Sequence, residues 1–275
     1  MLDSQQVATF QRDGFINAGP VITPEEADAL AAETLRILAD RDKANVPQPV
    51  AIGNLGKEDA PVWQIVNIWE ASEAFRKLVF NLRITEAIAQ VLEGDAIRLW
   101  HDQIQYKPVA TGGVNMWHQD SPYWPSLTPK DQQATCWIAL DDAAEDNGCM
   151  SMVPGSHRWG NNIDFLHQIK SFDALPAEFQ GRPVRARLCP VKKGHMHIHH
   201  SLTWHGSHAN RSGRPRRAIA LHFMNDRTVF VQGGNHIMER FIQVPHGANI
   251  EGDHFPLVWQ RRGNFFGNAG VEPAT

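Results

Sequence analysis

Cysteine is scarce in this chain: Cys136, Cys149 and Cys189 are the three among 275 residues, with no CxxC spacing. An odd, scattered set excludes a disulfide framework and a thiolate zinc knuckle, and it predicts a reducing compartment. Long apolar runs are also missing. No stretch approaches the ~18 apolar residues of a membrane-spanning helix. The opening residues, MLDSQQVATFQRDGF, lack the basic-then-apolar order of a signal peptide. Positive charge is not in excess either: 26 Lys+Arg against 30 Asp+Glu give a formal net charge of −4. That disfavours nucleic acid and anionic membrane surfaces as partners. The expectation is a soluble, cytoplasmic protein.

Several enzyme signatures are absent as well. GxGxxG, GxxxxGK[ST], HExxH and GxSxG do not occur, so a nucleotide-binding fold, a zincin and an α/β-hydrolase are unsupported. What is abundant is histidine, 14 residues in all, with His195, His197, His199, His200 and His205 close together.

Local patterning divides the chain. Ser4 is a candidate cap for a short helix through Val7 and Phe10, stopped at Asp13-Gly14. Thr23-Pro24-Glu25-Glu26 is a stronger helix start, with a capping threonine, a proline at the first turn and a glutamate three residues on. Residues 71–92 predict helix, split near Arg83 because the stripe Phe75, Leu78, Val79, Leu82 and the stripe Ile84, Ile88, Val91, Leu92 lie on different sides. From about residue 96 short strand-like runs take over: 97–100, 134–140, 149–153, 195–199 and 218–224. Asp146-Asn147-Gly148 reads as a hairpin turn between two of them. Helices first and strands afterwards give an α+β chain whose strand-rich part is a sandwich or barrel. The expected organisation is a single domain over 1–275: helical support over 1–95, a strand core with the site over 96–224, and a C-terminal extension over 225–275.

The chemistry is carried by two segments. In Trp117-His118-Gln119-Asp120 an imidazole and a carboxylate stand at i and i+2, which on an extended chain puts both on one face. Two histidines and one carboxylate make the facial triad that leaves positions on Fe(II) open. H-x-D alone is a weak signal, since a surface histidine and a turn aspartate produce it too. The second segment is HGSHANRSGRPRR, where His205 is followed eleven residues later by Arg216. Adjacent antiparallel strands would set such a pair at neighbouring depths in one cavity. A planar guanidinium on Arg216, or on Arg217, suits the far carboxylate of a keto acid whose other end chelates metal. His200 is the alternative ligand to His205. His195, His197 and His199 share a strand face, as an extra metal site or, more simply, as lining of the barrel.

Together these pieces resemble the phytanoyl-CoA dioxygenase family of Fe(II)/2-oxoglutarate oxygenases. The matching residues are DGF at 13–15, WHQD at 117–120, WIALDDAAEDNGCMSMVPGSH at 137–157 and WHGSHANRSGRPRRAIALHF at 204–223. The resemblance implies a double-stranded β-helix, or jelly-roll, core buttressed by the N-terminal helices. It implies Fe(II) on His118, Asp120 and His205. It also places 2-oxoglutarate against Arg216, Ser207, Trp137 and Gln103, with O2 as the oxidant and a small metabolite as substrate. The family's upstream co-substrate lysine has no counterpart around Gln64–Asn67. Asp120 fills the position that related halogenases leave empty for chloride, so hydroxylation with release of succinate and CO2 is the expected reaction. The rival classes are a cupin-like hydrolase or isomerase working without a keto acid, and a non-catalytic jelly-roll module.

Overall fold

The structure, a computed structural model, describes residues 1–261. Two antiparallel sheets face one another. The major sheet runs, in spatial order, through the strands Phe15–Pro20, His195–His200, Gln133–Ala139, Arg216–Asn225, Ala96–Lys107, Trp63–Val66 and Ala51–Asn54, and Leu257–Gln260 also pairs with the 96–107 strand. The minor sheet holds Arg187–Cys189, Met150–Met152, His205–Ser207 and Asn115–His118. This is the jelly-roll core.

Strand alternation sorts the side chains of the major sheet. Cys136, Ile138, Ile198, Ile219 and Leu221 point outward and pack with Leu30, Phe75, Ile84 and Ile88 of the helical layer. Trp137, Ala139, Ala218 and Ala220 point inward, against Met150 and Met152 of the minor sheet. The 133–139 strand is buried throughout because both faces are covered. The same period sends His197 and His199 to the inside while Met196 and Ile198 join the outer core. No helix among the described residues is long and apolar enough to cross a membrane.

The helical layer departs from the sequence expectation in two details. The first helix, Ser4–Asp13, is capped by Asp3, whose carboxylate accepts from the Gln6 backbone N–H, so Ser4 is already helical. The break inside 71–92 falls at Phe80-Asn81, between helices Glu73–Val79 and Leu82–Leu92, where Asn81 caps the second by accepting from the Arg83 backbone N–H.

The expected hairpin at Asp146-Asn147-Gly148 is wrong. Residues 145–147 form a 3-10 turn, and the strands on either side enter different sheets. Only Gly148 takes a positive φ, of 84°. The Asn147 carboxamide is used locally, accepting from the Ala144 backbone N–H and donating to the Asp142 carbonyl. A loop crossing between sheets and a tight hairpin share this turn chemistry, and only the pairing partner distinguishes them.

Asp13-Gly14-Phe15 ties the first helix to the interior. Gly14 ends the helix at φ 81°, its N–H bonding the Phe10 carbonyl at 2.7 Å. Its own carbonyl accepts from the His200 backbone and from Thr203 Oγ1, both at 2.8–2.9 Å. A Cβ there would collide with His157 Nδ1 and Thr203 Oγ1. Gly14→Ala is therefore expected to cost at least ~2 kcal/mol, lowering the melting temperature by roughly 4–8 °C in a scanning-calorimetry comparison with wild type. An unchanged melting temperature would show that the helix end relaxes freely.

Candidate active site

His118 and His205 are cross-strand partners in the minor sheet, and their ring centroids lie 4.1 Å apart. Each imidazole bonds through Nδ1 to the carbonyl two residues before it: His118 to Met116 at 2.7 Å and His205 to Thr203 at 2.9 Å. A carbonyl only accepts, so both Nδ1 atoms carry a proton, and in the neutral imidazoles the lone pair lies on Nε2. Thr203 is the residue anchored on Gly14, which links the N-terminal helix to the orientation of His205.

Asp120 arrives differently from the sequence expectation. The strand ends at His118, and Asp120 has helical dihedrals, φ −75° and ψ −55°, at the start of the 3-10 turn Ser121–Tyr123. The backbone N–H groups of Asp120 and Ser121 both bond the Ser201 carbonyl, at 2.8 and 3.2 Å. This anchor, rather than strand alternation, brings the carboxylate back to the imidazoles. Oδ1 lies 3.8 Å from His118 Nε2 and 3.4 Å from His205 Nε2. Oδ2 accepts from Thr135 Oγ1 at 2.7 Å and bonds His199 Nε2 at 3.0 Å.

One ligand atom from each of His118, Asp120 and His205 lies within 4.8 Å of the others. Right-angled ligation at about 2.1 Å sets donor atoms about 3 Å apart, so this set needs only a modest contraction to hold an ion. The donor set of two neutral imidazole nitrogens and one oxygen suits Fe(II). Burial pushes the His118 imidazole down to about 3. Burial also opposes ionisation of Asp120, but His205 and His199 overcome it and hold the carboxyl well below its usual range. Burial pulls His205 down, yet the Asp120 carboxylate lifts it above an ordinary histidine. Thr135→Val keeps the shape while removing the hydroxyl that orients Oδ2. It should weaken Fe(II) binding by roughly 10–100-fold in a competitive chelator titration, and equal affinity would mean that His199 alone orients the carboxylate.

The clustered histidines separate. His199 supports Asp120, and His197 stacks on Phe15 with centroids 5.8 Å apart. His200 faces the other way, toward His157 and Phe10, and does not join the ligand set.

Arg216 and His205 stand on strands of different sheets rather than on adjacent strands, correcting the sequence expectation. The turn between them crosses the barrel. Arg216 is 1% exposed. Its guanidinium sits 5.6 Å from the Trp137 ring centre and donates to the Gln105 carbonyl at 3.3 Å. Arg217 is committed elsewhere, making a two-pronged ion pair with Asp141. In strand register with Arg216 is Lys107, also fully buried. Its ammonium donates to Ser207 Oγ at 2.7 Å and to the Ser207 and His208 carbonyls. Among the described residues neither cation has a carboxylate partner, although burial and the neighbouring Arg216 push Lys107 well below its usual value. Burial lowers Arg216 to about 10, still protonated at neutral pH.

Ser207, Trp137, Asn115 and Gln105 line a small inner cavity that reaches His118, Asp120 and His205. Gln103 lies apart from it, in the wall of a larger outer cavity of about 690 Å³ that also opens on His118 and Asp120. Trp117, Tyr123 and Trp124 line this outer cavity too. Trp117 is at the same time packed on Phe172, with centroids 4.7 Å apart, while Tyr123 bonds His167 at 2.7 Å. His236 and Ile237 complete the wall, from a part of the chain whose sequence gave no strand or helix signal. Its last residues, 262–275, lie outside the described ones.

Sequence reasoning missed Thr135 and Lys107, and it placed His199 in the barrel lining without seeing that it would bond Asp120. The one available signal for Lys107 was its spacing: Gln103, Gln105 and Lys107 alternate on one strand face.

Residues 10–218 match the family described as Phytanoyl-CoA dioxygenase (PhyH). A Caenorhabditis briggsae homolog of phytanoyl-CoA dioxygenase domain-containing protein 1 is 24% identical over 272 residues, 84% of this chain and 93% of the relative. The ectoine dioxygenase of Nocardia farcinica is 31% identical over 157 residues, 56% of this chain and 51% of that protein. Among solved structures, the non-heme alpha ketoglutarate dependent carbocyclase SnoK from nogalamycin biosynthesis superposes with TM-score 0.77 at 24% identity, covering 94% of this chain and 97% of its own. EctD from S. alaskensis, solved with 2-oxoglutarate and 5-hydroxyectoine, gives TM-score 0.67 at 20% identity over 86% and 82%.

Proposed function

The chain belongs to the phytanoyl-CoA dioxygenase family and is an Fe(II)- and 2-oxoglutarate-dependent dioxygenase; from that premise we propose which residues do the work and what the reaction is. His118, Asp120 and His205 would hold the iron. Arg216 would hold the far carboxylate of 2-oxoglutarate, with Ser207 as hydroxyl donor and Trp137 as wall. Lys107 stands in for the upstream lysine of the family. Its ammonium donates to Ser207 Oγ, and the Ser207 hydroxyl in turn donates to Asn115 Oδ1 over a long 3.4 Å, a bond it would exchange for one to the co-substrate. Gln103 belongs on this reading to the substrate side rather than the co-substrate side. When bound, iron and 2-oxoglutarate supply the reduction of O2 that inserts oxygen into a C–H bond, with succinate and CO2 released. The protein orients the three ligands, excludes water from the inner cavity, and positions one substrate C–H at its mouth. With a carboxylate as third ligand, hydroxylation of a small molecule is the outcome favoured over halogen transfer.

The observation that carries the reading is the buried Arg216 guanidinium, which has Lys107 beside it and no carboxylate partner among the described residues. A desolvated guanidinium without an anion is costly, and an incoming dicarboxylate relieves that cost and favours the protonated form of Lys107. The direct test is succinate release from the iron-loaded protein with 2-oxoglutarate and O2. Dependence on all three supports the assignment, and succinate production without added keto acid or iron would refute it.

A pH dependence follows from His205. In the metal-free protein the Asp120 carboxylate holds a proton on His205 to higher pH than on an ordinary histidine, and metal must displace that proton. Apparent Fe(II) affinity should therefore fall about tenfold per pH unit below the His205 pKa and level off above it. Calorimetry in buffers of different ionisation heat should detect proton release on binding. No release between pH 6 and 7 would contradict the assignment.

A further inference from the structure

The outer cavity carries a polar array beyond the metal group, of which Gln105 and His222 also border the inner cavity. Strand register sets Gln64 opposite Gln105 and Val66 opposite Gln103, and sets His101 opposite His222. Residues two apart on a strand share a face, so carboxamides and imidazoles form a grid, about 4.8 Å apart across strands and ~7 Å along them. All of these side chains line the cavity. Gln105 lends its backbone carbonyl to Arg216. Among the described residues, the carboxamides of Gln64 and Gln105 have no protein partner. From the C-terminal part of the chain His236 closes the row, its ring 5.1 Å from that of His101.

These imidazoles do not make a second metal site. Among the described residues, His118, Asp120 and His205 are the group whose ligand atoms converge within 4.8 Å. Burial pushes both His222 and His236 down to about 4, so they are neutral hydrogen-bonding groups at physiological pH.

The rest of the wall is mostly apolar, with Leu55, Val114, Met116, Leu166, Ile169 and Ile237 beside Trp117 and Trp124. Its polar members are Asn115 and the Tyr123–His167 pair, which bond each other. Among the described residues no lysine, arginine or glutamate lines the cavity, and the one carboxylate there, Asp120, belongs to the metal group. A phosphate or carboxylate in the ligand would find no cation here, and an ammonium would compete with iron for Asp120. A carboxamide donates and accepts at once, which suits hydroxyl and carbonyl groups without demanding charge.

We propose that this cavity selects an uncharged ring compound with hydroxyl or carbonyl oxygens along one edge and hydrocarbon on the opposite face, and that the Gln64, Gln103 and Gln105 row fixes which C–H faces the metal. This rests on the oxygenase reading for the meaning of substrate, but it can be tested without turnover. The probes are phenyl β-D-glucopyranoside, phenyl β-D-glucuronide and phenyl 2-amino-2-deoxy-β-D-glucopyranoside, which differ in charge and little in shape. Binding is read by calorimetry and saturation-transfer NMR on the metal-free protein.

The neutral glycoside should bind at least tenfold more tightly than either charged analogue. Gln64→Leu, at a half-buried position, should cost the neutral probe fivefold or more, and Gln64→Glu should shift preference toward the amino sugar. The proposal is overturned if the neutral probe does not bind, if a charged probe binds as well, or if Gln64→Leu changes nothing while the variant keeps the wild-type melting temperature. Selective neutral binding in a protein that releases no succinate would instead sink the oxygenase assignment and leave this one standing.

Discussion

Asp120→Ala protein should fold normally, bind iron at least roughly a hundredfold more weakly than wild type and release no succinate above the metal-free blank. A single oxygen, Oδ1, faces both Nε2 atoms, at 3.8 and 3.4 Å. Losing it leaves two imidazoles, too few donors to retain Fe(II) against solvent. The other oxygen, Oδ2, satisfies Thr135 and His199, so the variant also releases the groups that framed the carboxylate. Loss of orientation alone costs 10–100-fold in comparable sites, and loss of the ligand adds to it. The checks are ferrozine iron content after desalting, succinate by chromatography, and circular dichroism for folding. Wild-type iron content with full succinate release would remove Asp120 from the ligand set.

Arg216→Ala should raise the apparent KM for 2-oxoglutarate by about two orders of magnitude, the scale of removing one partner from a buried charge pair. Iron affinity should hardly change, because Arg216 touches Trp137 and Gln105 rather than a ligand. Lys107→Met should have a smaller effect in the same direction. Its ammonium reaches the co-substrate pocket through Ser207, while its remaining donors are spent on backbone carbonyls. The metal-free Arg216→Ala protein should be no less stable than wild type, since a buried cation without a partner is a burden before the dicarboxylate arrives. An unchanged KM would move the clamp to Lys107. Arg217 is excluded as a substitute by its ion pair with Asp141.

Much of this was legible in the sequence because the signals were local. Thr23-Pro24 starts a helix by capping chemistry that acts within four residues, and the helix Pro24–Ala39 begins there. The strands 133–139, 195–200 and 216–225 were visible in their alternation or continuous apolarity. His118, Asp120 and His205 were found by motif and spacing, and the fold gathers them.

What escaped depends on distant contacts. Thr135 is one polar residue in a buried strand, and nothing near it in sequence says that Asp120 will lie against its hydroxyl. Lys107 is an ordinary strand-end lysine until register brings it beside Arg216. The hairpin expected at Asn147-Gly148 failed for the same reason, since turn residues set local dihedral angles and leave the choice of sheet to pairing. The eleven-residue step from His205 to Arg216 pointed to the right residues, but its geometric explanation was wrong, since the pair spans the two sheets.

The most direct test of the account is the visible spectrum of the anaerobic metal-free protein titrated with Fe(II) and then 2-oxoglutarate. The account predicts a weak charge-transfer band that forms only with both present, needs far more 2-oxoglutarate in Arg216→Ala, and is lost in Asp120→Ala. Iron bound in full with no such band at saturating 2-oxoglutarate would contradict it, because the co-substrate would then not be chelated at the metal that His118, Asp120 and His205 are proposed to hold.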